Sequence, residues 1–248
     1  MSERASEPAR TLRALHLGRA AGDPLVLPGP WDAASAVAFE AAGFPALATP
    51  SAGIARSLGY EDGSTPADEM FAQVARIVRA VSVPVTADVE GGYGLAPKEL
   101  VERVLETGAA GVNLEDSDAR GGLKDTHEHA DLLAAVRAEA GDALFVNARV
   151  DVYLRDVPAP ATAAVTRSLR YAAAGADCVY PIAAPAADLP ALRAGLGPDL
   201  PLNFLARPDS PPFAELGRLG ATRITFGPGL LLRTLDHVRA LAEELRGA

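Results

Sequence analysis

The clearest pattern in this chain is a helical segment that ends in glycine and is followed, after a short step, by an apolar strand. It occurs four times, with Gly43, Gly108, Gly175 and Gly220 at the helix ends and strands beginning near residues 46, 111, 178 and 222. Glycine takes the left-handed conformation that ends many helices. The repeat therefore predicts alternating helices and strands, which is typical of a parallel sheet.

Four further apolar runs complete the series of strands, at residues 25–27, 83–87, 144–148 and 200–205. A helix is predicted over residues 68–81, where apolar side chains recur at helical spacing. Eight strands alternating with helices in 248 residues predict an α/β fold, a closed (β/α)₈ barrel of the TIM type, as one domain spanning residues 1–248. An open doubly wound sheet would need a glycine-rich phosphate turn after the first strand, and residues 28–32 lack that fingerprint.

Composition narrows the class of protein. The formal net charge is −9 and no basic run occurs, which argues against binding to nucleic acid. No apolar run is long enough to span a bilayer, so no membrane partner is expected. Residues 1–10 are polar and lack the apolar core of a signal peptide, so we expect a flexible N-terminal segment on a cytoplasmic protein. The single cysteine, Cys178, lies in an apolar run and is interpreted as a small buried residue rather than a nucleophile.

One stretch, residues 83–94, carries the strongest chemical signal. It begins as a β-branched strand, places Asp88 and Glu90 at the strand's C-terminal end, and continues into a glycine-rich turn. Carboxylates two residues apart on a strand point to the same side. Since two such acids facing inward are costly without a positive charge between them, the simplest occupant is a divalent metal ion.

Polar residues also follow the C-terminal ends of the other predicted strands, where a barrel of this type places its chemistry. They are Thr49, Ser51, Asn113, Glu115, Asp116, Asn147, Arg149, Asp151 and Asn203. Acids, amides and one arginine from several strands predict a combined metal and anion site.

The order and spacing of four motifs resemble the isocitrate lyase and phosphoenolpyruvate mutase superfamily, over nearly the whole chain. The motifs are Ser-Leu-Gly-Tyr-Glu-Asp-Gly at 57–63, Ala-Asp-Val-Glu-Gly-Gly-Tyr-Gly at 87–94, Gly-Val-Asn-Leu-Glu-Asp at 111–116 and Asn-Ala-Arg-Val-Asp at 147–151. The resemblance implies a barrel enzyme that uses Mg²⁺ or Mn²⁺ and acts on a small 2-oxo acid or phosphonate.

The resemblance also implies roles for individual residues. Asp88 matches the acid that contacts the metal directly, Glu90 and Glu115 match acids that act through metal-bound water, and Asp62 matches an acid near those waters. The implied catalytic residues are Asp62, Glu115 and Arg149, with Arg149 pairing with the substrate carboxylate. The implied substrate-binding residues are Thr49, Pro50, Ser51, Asp88, Asn113, Arg149 and Asn203.

The chain departs from the isocitrate and methylisocitrate lyases after the fourth strand. Those enzymes carry a loop with a catalytic Cys, whereas residues 117–125 here contain none. Arg120 and Lys124 in this loop either clamp an anionic leaving group or are solvated loop charges. His127 and His129 follow, on different faces of a polar helix, and are interpreted as surface residues rather than a metal pair.

The expected activity is therefore Mg²⁺-dependent cleavage of a C–C bond in a small 2-oxo (di)carboxylate through an enolate. Two alternatives stay open: P–C bond chemistry on a phosphonopyruvate-like substrate, and a non-catalytic barrel that binds 2-oxo acids. The superfamily further implies a homo-oligomer, a dimer or tetramer, in which the C-terminal helix can be swapped between subunits.

Overall fold

The computed structural model describes residues 3–117 and 121–247, with side chains from Glu7 onward; Arg120 of the loop after the fourth strand lies outside this range. The strands of the described residues are β1 Leu25–Val26, β2 Leu47–Ala48, β3 Val85–Asp88, β4 Gly111–Glu115, β5 Phe145–Val150, β6 Cys178–Pro181, β7 Asn203–Leu205 and β8 Arg223–Thr225. The helices are α1 Glu3–His16, α2 Ala33–Ala41, α3 Ser51–Leu58, α4 Ala67–Ala80, α5 Pro97–Thr107, α6 Thr126–Ala140, α7 Pro160–Ala173, α8 Leu189–Leu196, α9 Phe213–Leu219 and α10 Gly229–Gly247.

The strands pair in parallel and close into a barrel, which confirms the predicted fold class. Two runs of paired strands, β2-β3-β4-β5-β6 and β7-β8-β1, make up most of the wall. The runs join at both ends: Ala48 N donates to Pro28 O at 3.1 Å, and Val179 bridges to Leu202. Each strand thus has a neighbour on both sides.

The recurring glycine ends its helices as predicted. The backbone φ angles of the four glycines are 88°, 80°, 104° and 121°, in the region that disfavours side chains with a Cβ. The helix predicted over residues 68–81 is α4, and it buries Met70, Phe71, Val74 and Ile77 against the barrel. Apolar periodicity therefore located both the helices and the faces they bury.

Two apolar layers stabilise the barrel. The larger lies between the outer face of the strands and the ring of helices, and includes Val112, Leu114 and Val146. The smaller fills the lower part of the barrel interior, around Leu27 and Phe145. Side chains alternate along each strand, so the inward positions above this lower layer are the ones left for polar residues.

The described part of the N-terminal segment is helical. Helix α1 includes Glu3–His16, and both Ala9 and Leu12 are fully buried. Leu12 packs into the smaller apolar layer, and His16 stacks on Phe145 with ring centroids 4.2 Å apart. Few apolar residues suffice here because they close the N-terminal end of the barrel, a tertiary role that local composition does not reveal.

Helix α10 contrasts with the other long helices in what it buries. Leu231 near its start is buried, while Val238, Leu241 and Leu245 are 52%, 45% and 78% exposed. These three residues share one face of the helix. Among the described residues, no helix is both long and apolar enough to cross a membrane.

Candidate active site

A cavity of about 170 Å³ opens at the C-terminal end of the barrel, where the sequence predicts a metal and anion site. Most of the residues singled out from the sequence line it: Thr49, Pro50, Ser51, Asp62, Asp88, Asn113 and Arg149. They come from the ends of β2, β3, β4 and β5 and from the turn after α3. Strand ends in a closed barrel converge on one point, and this convergence brings together residues that are far apart in the chain.

The loop after β2 gives the cavity an anion-binding edge. Helix α3 begins at Ser51 directly after the strand, so its first N–H groups lie at the cavity wall, which also includes Ala52. The first N–H groups of a helix have no partner within the helix and attract negative charge. The turn is tight because Gly53 packs on Pro50: a Cβ at Gly53 would lie 2.7 Å from the Pro50 ring.

Asp88 is held by the neighbouring loop. Ser51 donates to its Oδ2 through Oγ at 2.9 Å, and Glu90 N donates to its Oδ1 at 3.3 Å. The backbone N–H of Asp88 donates to Thr49 Oγ1 at 3.2 Å. These contacts fix the carboxylate at the end of β3 with one face toward the cavity.

Glu90 stands beside Asp88 in a turn with an unusual backbone. Its φ is 53° and that of Tyr93 is 55°, which is uncommon for residues other than glycine. Strained backbone of this kind concentrates at functional sites. Both side chains are half-buried, and among the described residues Glu90 Oε1 and the Tyr93 hydroxyl have no hydrogen-bond partner.

Arg149 is the cation at the centre of the site. Its Nε and Nη2 donate to the two oxygens of Asp151, at 2.7 and 2.9 Å, and its Nη1 lies 2.5 Å from Glu115 Oε2. A guanidinium has five N–H protons, so one on Nη1 and one on Nη2 stay free for a ligand. The carboxylates of Asp151 and Glu115 thus hold the side chain in place, and its two free N–H protons remain available to a ligand carboxylate.

A second tier of buried groups fixes Asp151. Its Oδ2 accepts from Ser117 Oγ at 2.6 Å, and its backbone N–H donates to Asp116 Oδ1 at 2.8 Å. Asp116 is itself fully buried and accepts from Tyr171 and Arg167. Interlinked polar groups of this kind hold an active-site side chain rigidly.

Burial and mutual repulsion raise the pKa values of three acids of the site. Burial, followed by the charges of Asp88 and Asp62, raises the pKa of Glu90 to about 7. Burial raises the pKa of Glu115 to about 8 despite the opposing charge of Arg149, and Asp88 adds to the rise. The pKa of Asp62 is also raised, by burial and then by Asp88. So much negative charge in one buried place favours a bound cation.

The donor set fits a hard divalent cation held by few side chains. Carboxylate oxygens are the ligands that Mg²⁺ and Mn²⁺ prefer, and Mg²⁺ usually keeps several waters. Glu90 Oε1 is shielded from solvent and has no hydrogen-bond partner in the described part of the chain, so it is an acceptor available to a positive group. Within residues 3–117 and 121–247, no cluster of three or more His, Cys, Asp or Glu side chains is close enough to coordinate an ion by itself.

Three of the residues to which the resemblance assigns a role stand outside the cavity wall. Glu90 and Glu115 lie behind it, next to Asp88 and Arg149 respectively. Asn203 is buried beneath the cavity, where its Nδ2 donates to Thr225 Oγ1 at 3.1 Å. The structure therefore brings Asn203 to the site through Thr225 and not as part of the lining.

Sequence reasoning missed several residues that line or support the cavity. Tyr180 and Thr225 line it, and Tyr171 and Arg167 support it by donating to Asp116. Strand pairing sets Tyr180 opposite Arg149, so alternation along β6 would have placed it inside the barrel. Leu154, Ile182, Gly227 and Pro228 complete the lining, from loops that carry no distinctive signal.

The loop after β4 contains no cysteine, and Cys178 is fully buried in the lower apolar layer, as predicted. Lys124 Nζ contacts the backbone oxygens of Gly91 and Glu115, at 3.3 and 3.4 Å, so it ties the ends of β3 and β4 together. The prediction that His129 lies on the surface is wrong: it is fully buried against Tyr171, while His127 is exposed. The helix face of His129 packs against α7, a neighbour that sequence spacing does not reveal.

A larger cavity, of about 440 Å³, lies between the loops after β7 and β8. Arg207, Arg233 and Phe213 are among its lining residues, and no carboxylate is. It therefore does not combine acids with a cation, and the smaller cavity is the candidate active site.

Comparison with known proteins gives one answer for family and fold. The family described as phosphoenolpyruvate phosphomutase matches residues 12–246. An uncharacterised protein of Mycobacterium tuberculosis H37Rv is 36% identical over 207 residues, which cover 83% of this chain and 78% of that protein. The 2-methylisocitrate lyase of Bacillus subtilis is 30% identical over 65% of this chain and 56% of its own length. A crystal structure from Burkholderia cenocepacia J2315, of a protein provisionally described as a phosphonomutase, superposes with a TM-score of 0.87 at 38% identity, covering 96% of this chain and 99% of that one.

Proposed function

The chain belongs to the phosphoenolpyruvate phosphomutase family, within the isocitrate lyase and phosphoenolpyruvate mutase superfamily, and from this premise we propose a Mg²⁺-dependent enzyme that acts on a small 2-oxo (di)carboxylate through an enolate. Cleavage of a C–C bond is the reaction we favour, because relatives include 2-methylisocitrate lyases. The observation that carries the proposal is the convergence of Asp62, Asp88, Glu90 and Glu115 around Arg149 at one cavity.

Each part of the site has a role in this proposal. Asp88 would hold the metal directly, with Glu90 and Glu115 holding its waters. The bound ion would supply the positive charge that stabilises an enolate oxygen. The free Nη protons of Arg149 and the first N–H groups of α3 would bind substrate carboxylates, which orients the bond to be broken.

A proton donor other than cysteine is required, because Cys178 is buried away from the loop after β4. Tyr180 lines the cavity, and burial raises the pKa of its phenol to about 12. It therefore keeps its proton at neutral pH, and we assign it as the acid available to an enolate carbon.

Phosphonate chemistry is the second candidate. It is supported by the likeness, over nearly the full length of both chains, to the Burkholderia protein provisionally described as a phosphonomutase. The same acids and Arg149 would serve a phosphonopyruvate-like substrate, since its 2-oxo and carboxylate groups are the same.

The assembly is proposed to be a homodimer or a tetramer built from such dimers. The exposed apolar face of α10, formed by Val238, Leu241 and Leu245, supports this proposal. A second copy of the chain that exchanges this helix would cover that face. The mass of the protein in solution tests this proposal.

The function is tested with a panel of acids in the presence and absence of Mg²⁺: oxaloacetate, 2-oxoglutarate, pyruvate, methylisocitrate and phosphonopyruvate. Products are followed by ¹H and ³¹P NMR. Mg²⁺-dependent cleavage of one 2-oxo dicarboxylate, lost in D88N, is the expected result. Turnover of phosphonopyruvate alone would favour the second candidate, and binding without any turnover would indicate a 2-oxo-acid binding protein.

A further inference from the structure

Below the candidate active site, one arginine spans the interior of the barrel. Arg223 is on β8, is fully buried, and donates from Nη2 to Asn113 Oδ1 at 3.4 Å. Asn113 is on β4, which lies across an eight-stranded barrel from β8. The side chain therefore crosses the lumen, between the lower apolar layer and the floor of the cavity.

Packing alone does not explain why an arginine occupies this position. Within residues 3–117 and 121–247, the Arg223 side chain makes one hydrogen bond, to Asn113, and its Nε and Nη1 have no partner. No described carboxylate lies within ion-pair distance of Arg223. A buried charge without a paired carboxylate is costly, and an apolar side chain of similar length would fill the same space.

The chemistry of the guanidinium gives a reason for it. An arginine has only donors, so it can face the oxygen of an amide but never its NH₂ group. Asn147 donates from Nδ2 to the same Asn113 oxygen at 2.8 Å. Two donors thus hold Asn113 Oδ1 toward the lumen, and since Asn113 lines the cavity, its Nδ2 is the group left to face a ligand.

We propose that Arg223 is a positioning residue, which fixes the Asn113 amide so that its NH₂ group donates to a ligand oxygen at the floor of the cavity. Without Arg223, the amides of Asn113 and Asn147 can turn over together, because each carries a donor and an acceptor. The site then selects ligands with an acceptor oxygen at this point, such as a carboxylate or 2-oxo group, and disfavours an ammonium group, which has only donors. In naming this ligand class the inference rests on the proposed function.

The sequence makes the test unusually clean. The chain has three asparagines, Asn113, Asn147 and Asn203, and one glutamine, Gln73. Side-chain amide NMR of ¹⁵N-labelled protein therefore contains only four NH₂ groups. The Asn113 signal is identified by its loss in N113S, and Gln73, which donates to the backbone of Trp31, is an internal control remote from Arg223.

The first measurement uses ligand-free protein. R223M removes the donors and keeps an unbranched side chain, so the Asn113 and Asn147 signals should move or broaden while Gln73 stays. R223K restores a donor-only group and should return both signals toward the wild-type positions. Unchanged Asn113 and Asn147 signals in R223M would overturn the inference. If R223M does not fold, R223Q replaces it, because a side chain that both donates and accepts cannot impose one orientation.

The second measurement is the affinity for oxalate with Mg²⁺, by calorimetry, since oxalate resembles the enolate of a 2-oxo acid. Loss of an oriented donor to a charged oxygen should weaken binding by about tenfold or more in R223M, with partial recovery in R223K. Equal affinity in R223M and wild type would also overturn the inference. If wild-type protein binds neither oxalate nor any 2-oxo acid, the proposed function fails, and the ligand-free spectra still decide the role of Arg223.

Discussion

Arg149 and Asp151 form a two-point ion pair, with Nε–Oδ1 and Nη2–Oδ2 distances of 2.7 and 2.9 Å, between residues two apart on the same strand end. Side chains two apart on a strand share a face, so the pair forms locally. Asp151 is fully buried, and Ser117 donates to the oxygen that also faces Nη2. The fork of the arginine is therefore used by the protein itself, and the ligand meets only its free Nη protons.

The first prediction concerns this geometry. R149K should weaken the binding of oxalate with Mg²⁺ by about tenfold or more, because an ammonium cannot hold Asp151, Glu115 and a ligand in one plane. Calorimetry measures the affinity. R79K is the matched control, since Arg79 is exposed near the end of α4, away from the cavity. Wild-type affinity in R149K would show that Arg149 does not contact the ligand.

The second prediction concerns the metal. D88N should abolish the increase in oxalate affinity that Mg²⁺ produces, while the melting temperature without metal stays close to that of wild type. The amide keeps an oxygen for the Ser51 hydroxyl but loses the charge that holds a cation. D131N, an exposed acid on α6, is the control and should bind like wild type. Mg²⁺-dependent binding that survives in D88N would remove Asp88 from the metal site.

The third prediction concerns pH and metal. The pKa values of Glu90 and Glu115 are raised to about 7 and about 8, so part of this pair is protonated at neutral pH. A cation must displace those protons, and Mg²⁺ affinity in the presence of oxalate should therefore rise from pH 6 to pH 8.5. Calorimetry in two buffers of different ionisation enthalpy counts the protons released on binding.

The same raised pKa values determine whether the stability of the fold rises or falls with pH. Both acids have a higher pKa in the folded protein than the ordinary value of 4.5, so the folded state binds more protons between about pH 4.5 and 8. Their contribution to stability is largest at low pH and is lost as pH rises through the pKa values of the folded protein.

The control for the metal experiment is a pair of variants. E90Q should reduce the number of protons released when Mg²⁺ binds, whereas E128Q, on the exposed start of α6, should not. Equal proton release in E90Q and wild type would show that Glu90 is ionised before the metal binds.

The residues at the strand ends can be predicted from the sequence, but the contacts among them cannot. Alternation and glycine caps were enough to predict the barrel, and the rule that barrel chemistry sits at strand ends then placed Asp88, Asn113 and Arg149 together. Arg223 and Tyr180 were not predicted, because their roles depend on partners across the lumen or on neighbouring strands. His129 was misassigned for the same reason, since a polar residue on a polar helix gives no sign that α7 covers it.

The fourth prediction concerns His129. Burial, with Lys124 and Arg167 nearby, lowers the pKa of His129 to about 3. The unfolded chain takes up a proton near pH 6.5 and the folded protein does not, so this residue makes the free energy of unfolding fall as pH drops from about 6.5 to 3. The slope from one such residue is up to about 1.4 kcal/mol per pH unit. H129F should flatten the wild-type slope of urea-unfolding free energy against pH by up to that amount.

His127, two residues earlier on α6 and exposed, is the matched control for this experiment. H127Q should keep the wild-type pH slope of stability, because it leaves the buried His129 in place. His16, whose pKa burial also lowers to about 3, contributes a slope of the same sign and remains in both variants. An identical slope in H129F and wild type would mean that His129 is protonated in the folded protein.

The fifth prediction concerns assembly. Val238, Leu241 and Leu245 form one exposed face of α10, and a face of this kind is costly unless another surface covers it. In a dimer that exchanges α10, the double variant L241D/L245D would bury two carboxylates in the interface, and its mass by light scattering after gel filtration should fall to that of one chain. E243Q/E244Q on the same helix changes two charges at exposed positions and should keep the wild-type mass. A wild-type protein that already elutes as a monomer, or a double variant that keeps the oligomeric mass, would show that this face of α10 does not hold the assembly together.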